Sequence, residues 1–289
     1  MFVTMFNRWL LIAFLASPAL AQSVSMQAPS DAAAGNAVAL KTTGSGSATF
    51  YLLGPSHTLK KNIELGGELQ IAGSDVSTSG LYHAIVCVSG ECASKEFYVR
   101  PGPPARLSFL VHPSRVPVSA PNAINATTIV LDPYQNTVLV PSPVEFHFSL
   151  AGTSAFTRKQ TTTRGIAWLQ MGSTAKQGPL EVVASIGDIS EPRVIRQVAS
   201  EACGLRMSAS SNSRNVRVQT DPIRDCSGNP LPDGTIVSFT KIDQGGRSTV
   251  DTPIKKGIAT AQFSVTGPAR ISIACGVVLG NEISVGGGQ

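Results

Sequence analysis

The sequence predicts an all-β protein made of three tandem antiparallel β-sandwiches. Its apolar residues recur in short segments that are rich in β-branched residues or alternate with polar ones, such as residues 144–148 (VEFHF) and 271–274 (ISIA). Clusters of Gly, Pro, Asn and Ser separate these segments, as the turns of a sandwich require. After residue 21 no window keeps an apolar stripe of helical period over three turns, so we expect no long helix.

The first 21 residues predict a cleaved signal peptide. Arg8 precedes an apolar run at residues 9–16, and Ala19-Leu20-Ala21 supplies a small-x-small cleavage pattern before Gln22. That run is far shorter than the roughly 20 apolar residues that span a bilayer, and no later segment is long and apolar enough. We therefore expect an exported chain of residues 22–289, periplasmic or extracellular, without a membrane span.

The formal charge of +5 does not indicate a nucleic-acid partner. The basic pairs Lys60-Lys61 and Lys255-Lys256 are isolated, without the clustered cations and stacking aromatics of a nucleic-acid groove. We expect these lysines at solvated strand ends or turns.

Two parts of the chain repeat each other. The segments that begin at Asp132 and Asp225 share Asn four residues on, Val twelve on and Phe fourteen on. Downstream, residues 165–171 (GIAWLQM) correspond to residues 257–263 (GIATAQF), and residues 178–183 (GPLEVV) to residues 267–272 (GPARIS). The offsets at these three anchors are 93, 92 and 89 residues. Ordered anchors at such steady spacing indicate two copies of one domain.

The repeat predicts domains at residues 102–199 and 200–289, preceded by a divergent first domain at residues 22–101 on the same plan. In the first domain Tyr82 has the place of a corner tyrosine at the start of a late strand. Residues 101–104 (PGPP) predict a stiff joint after it. Because the first domain departs from the repeated plan, we expect it to carry a function of its own.

The repeated pattern resembles the bacterial immunoglobulin-like domains of invasin- and intimin-type surface proteins. Those domains share a strand ending in Asp, a Gly-Asn-Pro type of turn, a V-x-F strand and a later G-x-A-x-x-x-[FL] strand. Residues 225–239 and 257–263 match strongly, whereas the second domain has Gln135 for the turn Gly and Thr137 for the Pro. The resemblance covers about residues 105–289, implies immunoglobulin-like sandwiches in an exported protein, and does not extend to the membrane barrel of invasins.

The repeated turn is predicted to be a structural corner. Its Asp can close an Asx turn at the strand end, its Asn and Gly tolerate positive φ, and a second turn follows before the next strand. The structural turn residues are Asp132, Asn136, Asp225, Gly228, Asn229 and Gly234. The alternative is a cation site built from Asp221, Asp225 and Asp233, which lacks the dense, alternating oxygen ligands of a calcium loop.

The five cysteines of an exported chain predict disulfides. Cys87 and Cys92 enclose a four-residue turn, so they are expected to pair across a hairpin. Cys203, Cys226 and Cys275 leave one thiol over. Pairing of Cys203 with Cys226, as neighbours in one sheet, is favoured over pairing of Cys226 with Cys275. Strand parity points Cys275 into the core.

No pattern predicts a catalytic, cofactor or metal site. The histidines His57, His83, His112 and His147 fall in different strands or loops without ligand spacing, and no CxxC motif occurs. A Gly-x-Ser-x-Gly elbow is absent, and no glycine-rich loop precedes a helix. The sequence therefore predicts a non-enzymatic protein without a cofactor.

The predicted function is a spacer or protein-binding component of the bacterial envelope or exterior, with an unidentified protein or glycan partner. One alternative is a carbohydrate-binding or adhesive surface module, which exposed aromatics would favour. Aromatic residues make up only 6% of the chain, and Trp168 is expected to face the core. A second alternative is a cryptic hydrolase or enzyme accessory domain, which a cluster of His and acidic side chains would favour.

Overall fold

A computed structural model describes residues 23–212 and 215–286, so the predicted signal peptide at residues 1–21 lies outside the described residues. Every regular element in the described ranges is a β-strand, apart from one 3-10 turn at Gly73–Val76. The predicted all-β class is confirmed. The chain divides into two compact units, Met1–Gly102 and Pro103–Gln289.

The first unit contains one sandwich. Its strands are β1 (Ser25–Gln27), β2 (Asp31–Ala33), β3 (Val38–Thr43), β4 (Ser47–Leu53), β5 (Thr58–Glu64), β6 (Glu68–Ile71), β7 (Gly80–Val88) and β8 (Glu91–Arg100). They form sheets of order β1-β3-β6 and β2-β8-β7-β4-β5. All pairs are antiparallel except β2 with β8. The hydroxyl of buried Tyr82 donates to the carbonyl of Thr78 at 2.9 Å, the bond of a tyrosine corner.

The second unit begins with a sandwich of the same plan. Its strands are β9 (Arg106–His112), β10 (Arg115–Pro117), β11 (Ile124–Leu131), β12 (Pro143–Leu150), β13 (Phe156–Thr161), β14 (Ile166–Met171), β15 (Gly178–Ile186) and β16 (Ile189–Val198). The sheets have the orders β10-β16-β15-β12-β13 and β14-β11-β9. As in the first sandwich, a short parallel strand, here β10, lies beside the last strand.

A third sandwich completes the second unit. Its strands are β17 (Met207–Asn212), β18 (Asn215–Thr220), β19 (Ile236–Asp243), β20 (Gly246–Pro253), β21 (Thr260–Ser264), β22 (Ala269–Cys275) and β23 (Val278–Val285). They form sheets of order β17-β18-β21 and β20-β19-β22-β23.

Each sandwich has a separate hydrophobic core, drawn from residues 26–99, 109–195 and 202–275. The V-x-F residues of the repeat, Val144 with Phe146 and Val237 with Phe239, are fully buried at equivalent places in β12 and β19. Burying each of these side chains contributes roughly 1.5–3 kcal/mol. The repeated sequence pattern is therefore the inward face of one central strand in each copy, while the predicted domain limits stay predictions.

Candidate functional site

The two copies of the repeated turn have the same internal hydrogen bonds. Asp132 Oδ1 accepts from the backbone N–H of Asn136 at 2.8 Å, and Oδ2 accepts from the Asn136 amide nitrogen at 2.8 Å. Asp225 Oδ1 likewise accepts from the backbone N–H of Asn229 at 2.8 Å, and Oδ2 from its amide nitrogen at 3.0 Å. In both copies the motif closes a corner at the end of a strand.

The two turns differ at the residue before the Asn. Gly228 has φ +85°, and Gln135 at the equivalent position has φ +68°. Both backbones are therefore left-handed, a region that costs a residue with a Cβ about 1–2 kcal/mol. The second sandwich keeps the turn geometry without the glycine that favours it.

The carboxylate of Asp225 lies at the base of the third sandwich and is only 3% exposed. Burial raises its pKa, but hydrogen bonds from Asn229, Ser200 and Ser227 outweigh that effect and hold the pKa below its usual value. The Ser200 N–H reaches Asp225 Oδ2 at 3.0 Å from the segment that joins the two sandwiches. Because both oxygens already accept from N–H groups, this arrangement does not resemble a cation site, and the described ranges contain no group of three or more His, Cys, Asp or Glu able to hold a metal.

Asn229 also binds the second sandwich. Its amide nitrogen donates to the carbonyl of Ala175 at 2.8 Å, and its oxygen accepts from the N–H of Gln177 at 3.0 Å. The hydroxyls of Ser119 and Ser227 lie 2.8 Å apart across the same contact. The loop between β14 and β15 thus receives the turn of the third sandwich. We call this contact the Asn229 joint.

Two grooves flank the Asn229 joint within the second unit. One, of about 790 Å³, is lined mainly by small and apolar residues, including Val118, Ala202 and Leu231. The other, of about 630 Å³, is lined by Arg115, Arg196 and Asp233 among others. Arg115 and Arg196 are register partners on β10 and β16 and both are exposed. The grooves are open surfaces beside the joint.

The structure joins four of the five cysteines. Cys87 and Cys92 form a disulfide between register partners of the β7–β8 hairpin. Cys203 and Cys226 form the second, with their Cα atoms 4.9 Å apart. Of the two pairings that the sequence left open, the structure thus has Cys203 with Cys226. Cys275 is a buried free thiol, and burial raises its pKa.

The histidines lie apart, and His147 alone has both hydroxyl and acidic neighbours. Its Nδ1 lies 2.8 Å from Thr157 Oγ1, and its Nε2 lies 3.5 Å from Glu145. The hydrogen bond from Lys159 lowers the pKa of Glu145 and occupies that carboxylate. The group lies on the outer face of a sheet whose backbone N–H groups are paired in the ladder, so it lacks the water-excluded oxyanion donors that hydrolysis requires.

Trp168 faces solvent, so the expectation that it faces the core is wrong. Its side chain is 64% exposed, whereas its neighbours Ala167 and Leu169 are buried. Strand β14 is apolar on both faces, so alternation could not decide which face is inward. The repeat contained a signal that could have decided it, because the residue equivalent to Trp168 is Thr260, a polar residue.

The described part of the chain contains no helix with the length and apolar character of a membrane span. No protein-family model and no curated protein matches the sequence. Solved structures do match, and they establish the fold: the chain consists of tandem immunoglobulin-like sandwiches, the fold that the resemblance implied.

Two solved structures illustrate the likeness. The Escherichia coli adhesin FdeC has a TM-score of 0.62 at 14% identity, over 93% of this chain and 97% of that chain. Invasin, a bacterial integrin-binding protein, has a TM-score of 0.55 at 12% identity, over 92% of this chain and 60% of that chain. This chain therefore spans about 60% of the invasin structure.

Proposed function

We propose that this chain is an exported, non-enzymatic immunoglobulin-like module protein that acts as a spacer or protein-binding component of the bacterial envelope or exterior. The observation that carries the proposal is the Asn229 joint. The Asn229 side chain bonds to its own Asp and to the adjacent sandwich, and such a contact suits a part that sets the spacing of two domains.

Two further observations support the proposal. Disulfides at Cys87–Cys92 and Cys203–Cys226 suit an oxidising compartment outside the cytoplasm. The two solved structures of similar fold are an adhesin and an integrin-binding protein. The hydrolase alternative rests only on the solvated group around His147, so we do not propose it.

Localisation in the bacterial host tests the proposal. A chain tagged after Gln289 is followed by cell fractionation, by protease treatment of intact cells and by mass spectrometry of its N-terminus. We expect export, with a mature N-terminus at Gln22. A variant lacking residues 2–21 is the matched control and should stay in the cytoplasm. A full-length chain that also stays there, uncleaved, would refute the proposal.

The same experiment separates the two locations. Cleavage of the tag on intact cells would indicate the cell exterior, and protection until the outer envelope is opened would indicate the periplasm. Crosslinking in the compartment so identified would then capture the protein partner.

A further inference from the structure

The three-stranded sheet of the second sandwich presents an unusual outer face. Strand β11 is its centre, and Asn125, Thr127 and Ile129 of β11 each have one register partner on β9 and one on β14. The fourth outward residue, Leu131, pairs with Arg106 on β9. The rows across the sheet are Leu110–Thr127–Trp168, Ser108–Ile129–Ile166 and His112–Asn125–Gln170. We call these nine residues the Trp168 face.

Apolar side chains occupy the centre of the Trp168 face. Leu110 and Trp168 are each 64% exposed and are the two register partners of Thr127. Ile166, in the next row, is 40% exposed. Singly exposed apolar residues are ordinary, whereas these three lie next to one another inside a polar rim, the arrangement of a candidate binding surface.

The polar residues around this centre are amides, hydroxyls and the imidazole of His112, and Arg106 lies in the next row of β9. The Gln170 side chain is held in place, because its amide nitrogen donates to the carbonyl of Asn122 at 3.2 Å. A groove of about 450 Å³ runs alongside Trp168, lined by Gln160, Thr161 and Thr163 as well as by β14. None of the residues that line it is acidic or basic.

We propose that the Trp168 face binds a neutral oligosaccharide. The C–H face of a sugar ring stacks on an indole, whose π-face carries partial negative charge. Amide and hydroxyl side chains can donate to and accept from sugar hydroxyls. The groove beside Trp168 has no charged lining residue, which matches a neutral ligand and gives a uronate or a sulfated sugar no counter-ion within the groove. The proposal assigns glycan binding to the second domain, whereas the sequence led us to expect an individual function in the first.

The size of the face favours a small ligand over a protein. Three strands about 4.8 Å apart and three rows about 6.8 Å apart define a lattice of roughly 10 by 14 Å. A stable protein interface buries about 800 Å² on each partner, several times that area. A second copy of this chain would therefore need contacts beyond the face, whereas a short oligosaccharide can lie along it.

Intrinsic fluorescence tests the proposal directly. Of the two tryptophans in the sequence, Trp9 lies in the predicted signal peptide, so Trp168 is the only tryptophan of residues 22–289. That chain is titrated with hexaoses of β-1,4-linked glucose, xylose, mannose and N-acetylglucosamine, and with polygalacturonate as the anionic probe. We expect at least one hexaose to saturably shift the Trp168 emission, with matching heat in calorimetry, and polygalacturonate to have no effect.

Substitutions then assign the binding to the face. We expect Trp168→Ala to weaken binding about tenfold or more in calorimetry, Trp168→Phe to retain most of it, and Leu110→Ala to weaken it about threefold. The matched control is Leu279→Ala, which truncates a side chain that is 80% exposed in the third sandwich. It should bind like the unaltered chain, and all four variants should keep the same melting temperature because the sites are exposed.

Three outcomes would overturn the proposal: no hexaose binds, a hexaose binds equally well to Trp168→Ala, or only polygalacturonate binds. Sedimentation adds a fourth, a concentration-dependent dimer that Trp168→Ala abolishes, which would assign the face to a second copy. Sugar binding goes beyond the proposed function, because a chain that binds no sugar can still be an exported spacer. The localisation experiment tests export separately from sugar binding.

Discussion

Replacing Asn229 by alanine should loosen the joint between the second and third sandwiches. The substitution removes two hydrogen bonds to the second sandwich, at 2.8 Å to Ala175 and at 3.0 Å from Gln177. Each such bond contributes about 1 kcal/mol net, so the docked joint should lose about 2 kcal/mol. That loss corresponds to roughly a 30-fold shift toward the undocked state. The amide bond to Asp225 is lost as well, which weakens the turn itself.

Amide hydrogen exchange measures this shift at one atom. The N–H of Gln177 donates to Asn229 and loses this acceptor in Asn229→Ala, so its protection should fall by at least about 30-fold. Ser119→Ala is the matched control, since it removes an exposed hydroxyl contact across the same joint and should change the protection of Gln177 by no more than about threefold.

Two results would refute this reasoning. If the Gln177 amide exchanges at the same rate in Asn229→Ala as in the unaltered chain, the Asn229 side chain does not hold the joint. If Ser119→Ala has as large an effect as Asn229→Ala, the contact is held by general packing rather than by the amide.

Three further predictions concern the turns and the third sandwich. Both Gln135 and Gly228 have left-handed backbones, which glycine adopts more readily than glutamine. Gln135→Gly should therefore raise the free energy of unfolding of the second sandwich by about 1 kcal/mol in urea titration, and Gly228→Gln should lower that of the third. A lower free energy of unfolding in Gln135→Gly would contradict this reasoning. The folded pKa of Asp225 lies below its unfolded value of about 3.9, so the stabilisation that this carboxylate provides is complete above about pH 3.9 and is lost as the pH falls through the folded pKa. Asp225→Asn should therefore flatten this part of the acid-unfolding curve. An unchanged curve would argue against a stabilising role for the carboxylate. Replacing Cys203 and Cys226 together by serine opens a loop with a sequence separation of 23. The loss of this cross-link should lower the unfolding free energy of the third sandwich by about 3.5 kcal/mol in calorimetry. A change below about 1 kcal/mol would refute the chain-entropy reasoning.

Features set by neighbouring residues could be predicted from the sequence. The turn that Asp225 and Asn229 close spans five residues, so the types and spacing of those residues describe its hydrogen bonds without knowledge of the rest of the fold. The hairpin disulfide between Cys87 and Cys92 is local in the same way. The strands that carry the V-x-F pattern could also be predicted, because the pattern matches the period of a half-buried strand.

The pairing of Cys203, Cys226 and Cys275 could not be decided from the sequence. Cys203 and Cys226 both lie outside regular strands. Strand parity therefore could not choose between the pairings Cys226–Cys203 and Cys226–Cys275. An isolated bridge between Ala202 and Asp225 brings the first pair together. Cys275, in contrast, continues the inward side of β22, and its burial followed from alternation alone.

The sequence alone determined the strands, the repeat and the corners, because each depends on residues within a few positions of one another or on a period of two. Tertiary structure decided the outward position of Trp168 and the partners of Asn229. Strand β14 has apolar residues on both sides, so its own alternation does not select the inward side, whereas its register against β11 does. Asn229 bonds to residues 52 and 54 positions away in another sandwich. The residues around Asn229 do not indicate this contact, because it forms only when both domains have folded.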